Sequence, residues 1–110
     1  MKIDFKNIEE KIVPNFKGGE GRYIMKQFAD EKVKIMYGKL EPGCSIGRHV
    51  HENEEEVFYV LQGVATYDDN GTVVKMYPGD SCICRNGQEH SIANREESGT
   101  LTVVAVILTM

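Results

Sequence analysis

Residues 43–63 read GCSIGRHVHENEEEVFYVLQG, and this stretch holds the features that decide the fold. One residue separates His49 from His51, an acidic run follows, and the apolar segment 57–61 comes after it. Side chains two residues apart project from the same face of a β-strand, so we expect both imidazoles to point to one side. The acidic run then leads into the next strand, which can bring a carboxylate beside them.

The rest of the chain shows the alternation typical of β-strands. Apolar residues recur with a period of two, and turn residues interrupt them roughly every eight to twelve positions. Asn70-Gly71 is a strong hairpin signal, and residues 8–13 are the one segment expected to form a short helical turn. We predict strands at residues 23–28, 33–40, 46–51, 57–61, 64–67, 72–77, 81–85, 90–94 and 101–108.

Many short strands with tight turns favour a mainly β sandwich or barrel, because doubling or closing a sheet removes its exposed edges. Segments 57–61 and 101–108 are apolar on both faces, so the outer surface also has to be covered. We therefore expect a homodimer.

Composition restricts the class of protein. The chain has 110 residues, 41% of them hydrophobic and 27% charged, which predicts one ordered domain over residues 1–110. Its net charge of −4 argues against a nucleic-acid partner. Acidic residues at positions 4, 9 and 10 argue against a signal peptide, and no apolar run is long enough for a membrane helix. With an odd number of cysteines, three, we expect reduced thiols and a cytoplasmic protein.

The chain has only three histidines, and these are the residues that indicate chemistry. His49 and His51 on one strand face can occupy adjacent positions around a metal ion. A glutamate from residues 52–56 can offset the charge of the ion, and His90, which follows the Asn86-Gly87 turn, can reach the same interior. The alternative is that all four are ordinary residues of the sheet.

Two motifs resemble those of the cupin superfamily. The first consists of Gly43, five residues, His49, one residue, His51, four residues, Glu56, six residues and Gly63. The second consists of Gly79, seven residues, Gly87, two residues, His90, three residues and Asn94. Together they span residues 43–94, and the short segment 64–78 between them resembles compact single-domain bacterial cupins. Arg85 stands where the family commonly has proline, which makes it a candidate cation at the rim of the pocket.

The resemblance implies an all-β, double-stranded β-helix (jelly-roll) barrel. Strands before residue 43 would lead into a metal-binding barrel at 43–94, and a C-terminal strand would follow at 101–108. It also implies one divalent transition metal, Mn, Fe, Ni, Co or Zn, held by His49, His51, Glu56 and His90. Glu56 is preferred to Glu55 because its parity puts Phe58 and Val60 on the same face as the ligands.

Two functions follow from the resemblance. The first is a metal-dependent enzyme of the dioxygenase, decarboxylase, isomerase or lyase type that acts on a small polar metabolite. The alternative is a non-catalytic, metal-containing module that binds a sugar or an organic acid. No histidine is left over to act as a base, so Tyr37 or a hydroxide on the metal would have to serve.

Several other side chains have two interpretations each. Cys82 and Cys84 are small buried hydrophobes or pocket residues. Asn94 orients a ligand or bonds the backbone. Apolar residues of the early strands line the pocket or simply pack in the core, namely Met25, Met36 and Tyr37. The arginines are surface residues or substrate clamps, with Arg85 the best clamp candidate among Arg22, Arg48 and Arg85.

Overall fold

The computed structural model describes residues 1–110, which form ten β-strands and two short 3-10 helices, Phe5–Asn7 and Phe16–Gly18. The strands are β1 (Lys11–Pro14), β2 (Arg22–Ala29), β3 (Val33–Leu40), β4 (Ser45–Val50), β5 (Glu54–Gln62), β6 (Ala65–Asp69), β7 (Thr72–Met76), β8 (Ser81–Cys84), β9 (Glu89–Ala93) and β10 (Leu101–Thr109).

The strands form two antiparallel sheets. The larger sheet has the order β1-β2-β3-β10-β5-β8, and the smaller has the order β4-β9-β6-β7. Because strands distant in sequence are neighbours in each sheet, the chain passes from one sheet to the other and back, as in a jelly roll. The predicted all-β, double-stranded β-helix is confirmed.

The core lies between the sheets and follows the period-two alternation. On β5, Glu56, Phe58 and Val60 are buried, whereas Tyr59 is 44% and Leu61 43% exposed. This is the parity expected from the sequence, and it directs the Glu56 carboxylate into the interior. The hairpin prediction also holds, because Asn70 and Gly71 join β6 to β7 with φ angles of 52° and 97°, the left-handed pair that a type I′ turn requires.

The helical turn predicted at residues 8–13 is wrong. Residues 11–14 form the edge strand β1, in which Ile12 pairs with Ile24 and Val13 with Tyr23 of β2. The backbone hydrogen bonds offered by the edge of β2 outweigh a weak local preference for helix. Pro14, which cannot donate a backbone hydrogen bond, is tolerated because β1 is at the sheet edge.

Tyr37 does not line the interior. It lies on the face of β3 opposite Met36 and is 38% exposed, whereas Met25 and Met36 belong to the buried core. Tyr37 is therefore unable to act as a base inside the barrel. No helix of the structure has the length and apolar character needed to cross a bilayer.

Candidate metal centre

Both sheets contribute to one cluster of imidazoles and a carboxylate. His49 on β4 is the direct cross-strand partner of His90 on β9, in the smaller sheet. His51 follows β4 by one residue, and Glu56 projects inward from β5 of the larger sheet. The centre therefore bridges the two sheets, and its assembly depends on the tertiary fold.

An irregularity in β4 turns the histidines inward. Ile46 and His51 are both buried although they differ in parity, and the register with β9 shifts between Ile46 and His49. One extra residue in a strand reverses which side chains face the interior. Gly47 lies in this segment, where a Cβ would overlap the backbone of Gly18 and Gly19. Because Gly47 has no side chain, the 3-10 helix Phe16–Gly18 can pack closely against β4.

The ligand-type atoms of the cluster are very close to one another. Nε2 of His90 lies 3.0 Å from Nε2 of His51, 3.2 Å from Nε2 of His49 and 2.9 Å from Oε1 of Glu56. Oε1 of Glu56 is 2.9 Å from Nε2 of His51 and 3.9 Å from Nε2 of His49. One donor atom from each residue lies within 4.8 Å of every other. The four residues predicted from the sequence are therefore brought together.

The outer nitrogen of each imidazole has a partner of its own. Nδ1 of His49 donates to the carbonyl of Gly47 at 2.7 Å, and Nδ1 of His51 donates to the Glu54 carboxylate at 2.8 Å. These acceptors have no proton to give, so Nδ1 carries the hydrogen in both rings and the lone pair of each neutral ring is on Nε2. The hydroxyl of Tyr67 lies 2.9 Å from Nδ1 of His90. Each ring is thus held with Nε2 facing the centre.

The buried carboxylate makes the centre attractive to positive charge. Burial by itself raises the pKa of the Glu56 carboxyl, but the three surrounding histidines more than offset this and hold that pKa well below its usual range. The bond to Glu56 raises the pKa of His51. Burial lowers the pKa of His90, against the opposing influence of Glu56. Glu56 is only 4% exposed and has no lysine or arginine within ion-pair distance.

The donor set fits a divalent ion. Facing nitrogen lone pairs repel one another unless a proton or a metal ion lies between them, and imidazole and carboxylate are the donors that bind Mn, Fe, Co, Ni and Zn. Hydrogen bonds to the outer nitrogens are also the arrangement that orients metal-binding histidines in proteins. The cluster could therefore bind a metal, whose identity the donor types leave open.

A cavity of about 110 Å³ opens beside the cluster. His49, His51, Glu54 and Glu56 line one side of it. Its other walls contain apolar side chains from both sheets and three polar ones, Lys17, Gln27 and Lys34. The centre is therefore accessible to a small molecule through a mouth that carries two lysines.

Tyr23 also lines this cavity. Its hydroxyl is buried without a hydrogen-bond partner, and its ring lies over Gly38, where a Cβ would overlap the hydroxyl. Burial, and to a smaller extent the Glu56 carboxylate, raises the pKa of this hydroxyl. Tyr23 therefore stays protonated and does not act as a base.

The structure corrects one sequence-based candidate and settles another. The side chain of Arg85 is 62% exposed, pairs with Glu55 at 3.4 Å and is absent from the cavity wall, so it does not place a cation at the rim. Its strand parity directs it away from Glu56. Asn94 is buried and donates to the carbonyls of Leu40 and Gly99, which is the backbone role considered for it.

The two cysteines of β8 face inward beside the cluster but do not line the cavity. Cys82 pairs with Phe58 and Cys84 with Glu56 across the β5–β8 ladder. Burial raises the pKa of the Cys84 thiol to about 11, so it remains a neutral thiol. Cys84 is 1% exposed and packs as a small apolar residue.

Sequence reasoning missed four residues around the centre. Tyr67 gave no signal, because only the pairing of β6 with β9 brings it to His90. Glu54 belongs to the acidic run 52–56, from which the sequence predicts a role for Glu56 alone. The alternation of β3 contained a signal for Lys34, which has the parity of the buried Met36, and Gln27 has the parity of Met25 on β2.

Comparison with known proteins places these features in a wider context. A sequence model described as the cupin domain matches residues 36–107. The chain is 32% identical to the oxalate-binding protein of Thermotoga maritima over 114 residues, covering 98% of this chain and 94% of that protein. It is similar to the crystal structure of a predicted oxalate decarboxylase from Thermotoga maritima, with a TM-score of 0.92, 33% identity and full coverage of both chains. KdgF from a Halomonas species shares the fold, with a TM-score of 0.81 and 18% identity over 100% of this chain and 96% of that one.

Proposed function

This chain belongs to the cupin family, and on that premise we propose that it binds a divalent transition-metal ion and uses it to hold a small anion such as oxalate. The metal ligands in this proposal are His49, His51, Glu56 and His90. The observation that carries it is the convergence of three Nε2 atoms on one carboxylate while every Nδ1 atom has its own partner.

Charge supports an anionic ligand. Three neutral imidazoles and one carboxylate leave a divalent ion with a net charge near +1. A bound ion of this kind acts as a Lewis acid and offers open positions to carboxylate oxygens. Lys17 and Lys34 add positive charge at the mouth of the cavity. A chelating dianion therefore suits this site better than a neutral sugar.

The relatives support the same ligand. The Thermotoga maritima homologue is described as an oxalate-binding protein and matches this chain over almost its whole length. Oxalate presents two adjacent carboxylate oxygens to one ion, and it is small enough for a cavity of about 110 Å³. We use it as the probe ligand for this chain.

Binding without turnover is the better supported of the two functions considered from the sequence. The proton-transfer steps of a decarboxylase or isomerase use a positioned side chain or a hydroxide on the metal, and a free side chain of this kind is what the cavity lacks. Glu54 bonds Nδ1 of His51, Tyr23 stays protonated and Tyr37 faces outward. Enzymatic activity is the second candidate, favoured by the likeness to the predicted oxalate decarboxylase.

Elemental analysis and titration test the proposal. Protein purified without an affinity tag should contain close to one equivalent of a transition metal, and the loaded protein should bind oxalate in calorimetry. His51→Ala should lose the metal and keep a far-ultraviolet circular dichroism spectrum of β-structure, because the apolar core supplies most of the stability. Wild-type protein that binds no transition metal would contradict the proposal. Formate or carbon dioxide released from oxalate would favour the enzyme instead.

We also propose a homodimer formed through the outer face of the larger sheet. Cross-strand pairing aligns Ile35, Val106, Val57 and Ile83 in one row over β3, β10, β5 and β8. Val104 lies in the neighbouring row between Tyr37 and Tyr59, which are 38% and 44% exposed. A continuous apolar surface of this kind is typical of an interface between subunits.

Light scattering tests the dimer. Wild-type protein at micromolar concentration should show twice the chain mass of 12.4 kDa, and Val104→Lys should show one chain mass with an unchanged circular dichroism spectrum. Val73→Lys is the matched control, because Val73 is 61% exposed on β7 of the other sheet. A monomeric wild type, or equal dissociation of both variants, would contradict the proposed interface.

A further inference from the structure

Lys34 lies in the same row of the larger sheet as Glu56. Both residues pair directly with Ile107 of β10, Lys34 from β3 and Glu56 from β5. Residues directly opposite in neighbouring strands share a face of the sheet, so Lys34 is on the inner face, like Glu56. Two strand spacings separate their backbones by roughly 9 to 10 Å. Lys34 therefore belongs to the interior face at the open end of the barrel.

Gln27 joins Lys34 on this side of the cavity. It pairs with Met36 of β3, two residues from Lys34, and has the parity of the buried Met25. Both Gln27 and Lys34 line the cavity that contains His49, His51 and Glu56. The two polar side chains thus line the cavity from β2 and β3, in the larger sheet that also carries Glu56.

Neither side chain has a partner within the protein. No hydrogen bond or ion pair engages the Gln27 amide or the Lys34 ammonium group. Of the two glutamates on the cavity wall, Glu54 bonds Nδ1 of His51, and Glu56 lies against the histidines of the cluster. Lys34 is exposed to solvent at the mouth, so its charge is available to a ligand that enters.

We propose that Lys34 and Gln27 form an anion subsite that binds the outer oxygen of a second carboxylate, the one that points away from the metal when the other oxygen of that carboxylate coordinates it. Lys34 would pair with a second carboxylate, and the amide of Gln27 would donate a hydrogen bond to it. The site then selects dicarboxylates over monocarboxylates that chelate the ion equally well. This inference rests on the proposed function and adds the substrate class and the residues that recognise it.

Calorimetric titration of metal-loaded protein with oxalate and with glycolate tests the subsite. Glycolate chelates through a carboxylate and a neutral hydroxyl, so it has no second charge for Lys34. Hydrogen bonds to a charged group correspond to an affinity change of about 10- to 100-fold. Because Lys34 is exposed, we expect the lower end, so Lys34→Gln should weaken oxalate binding by about 10-fold. Glycolate binding should change by less than about 3-fold. Gln27→Ala should weaken oxalate binding by a smaller factor.

Lys39→Gln is the matched control, because it removes the same charge from the same strand. Lys39 has the opposite parity to Lys34 and so lies on the other face of the sheet. This variant should bind oxalate as wild type does. Metal content and thermal melting of Lys34→Gln should equal those of wild type, which shows that the variant is folded and loaded. Equal oxalate affinity in Lys34→Gln and wild type would overturn the subsite and leave the proposed function standing. Loaded wild type that binds no oxalate would overturn both.

Discussion

Replacement of Glu54 by alanine should weaken metal binding although Glu54 is not among the proposed ligands. Its Oε1 accepts a hydrogen bond from Nδ1 of His51 at 2.8 Å, and the two side chains are 28% and 4% exposed. This bond holds the imidazole ring in one orientation and keeps the proton on Nδ1, so that Nε2 presents its lone pair to the centre. Without it, the ring can rotate and the proton can move to Nε2.

The size of the effect follows from the type of bond. A hydrogen bond to a charged acceptor contributes about 1.5–3 kcal/mol when it is shielded from water. Loss of a hydrogen-bond partner of a metal-binding histidine reduces metal affinity by about 10- to 100-fold. Because the Glu54 side chain is partly exposed, we expect the lower end, about 10-fold. Glu54 contacts Nδ1 of His51, and Glu56 contacts Nε2 of the same ring. Removal of Glu54 therefore leaves the contact between Nε2 and Glu56 intact.

Competition between the protein and a chelator for Mn²⁺ or Co²⁺ measures this change. Glu55→Ala is the matched control, because it removes the same charge from the next residue, whose carboxylate faces Arg85 on the outside. The control should bind metal within about 2-fold of wild type. If Glu54→Ala and Glu55→Ala have the same affinity, orientation of His51 by Glu54 has no role in metal binding.

Four further predictions concern single groups near the centre. Tyr67→Phe removes the hydroxyl beside Nδ1 of His90 and should lower metal affinity by about 10-fold. Tyr23→Phe removes a buried hydroxyl that has no hydrogen-bond partner, so the free energy of unfolding in urea should stay the same or rise by about 1 kcal/mol. A clear loss of stability in Tyr23→Phe would refute the second prediction. The surrounding histidines hold the pKa of the Glu56 carboxyl below its usual value and keep it ionised in the folded chain. This contribution to stability is therefore present above about pH 4.3 and is lost as the pH falls further. In thermal melts between pH 5 and 3 (about one unit on either side of that value), the melting temperature of metal-free wild type should therefore fall more steeply than that of Glu56→Gln, and parallel curves would contradict the sign. Burial raises the pKa of the Cys84 thiol to about 11. Iodoacetamide at about pH 8, below the ordinary pKa of a thiol, should therefore label Cys84 only after the protein unfolds, which mass spectrometry of the peptides can determine. Rapid labelling of Cys84 in the folded protein would contradict its burial.

Local patterns in the sequence were sufficient for most strands and for the face on which key residues lie. The β3 prediction, residues 33–40, coincides with the strand in the structure, and the parity of Glu56, Phe58 and Val60 is as expected. These features depend on a period of two and on turn residues, both of which are properties of neighbouring positions. The edge strand β1 was missed because its conformation comes from pairing with β2 rather than from its own residues.

The sequence by itself determined the fold class, because strand alternation is a property of neighbouring residues. It also determined the three histidines and one glutamate that meet in the interior, because the resemblance extends over both motifs that contain them. Only the tertiary structure decided what surrounds that set. Tyr67 reaches His90 through the β6–β9 pairing, and Lys34 shares a row with Glu56 through β10. Strand order and register, which join segments far apart in the chain, decide which residues become such neighbours. The irregularity in β4 also changes which of its side chains face the interior, and simple alternation along the sequence does not predict that change.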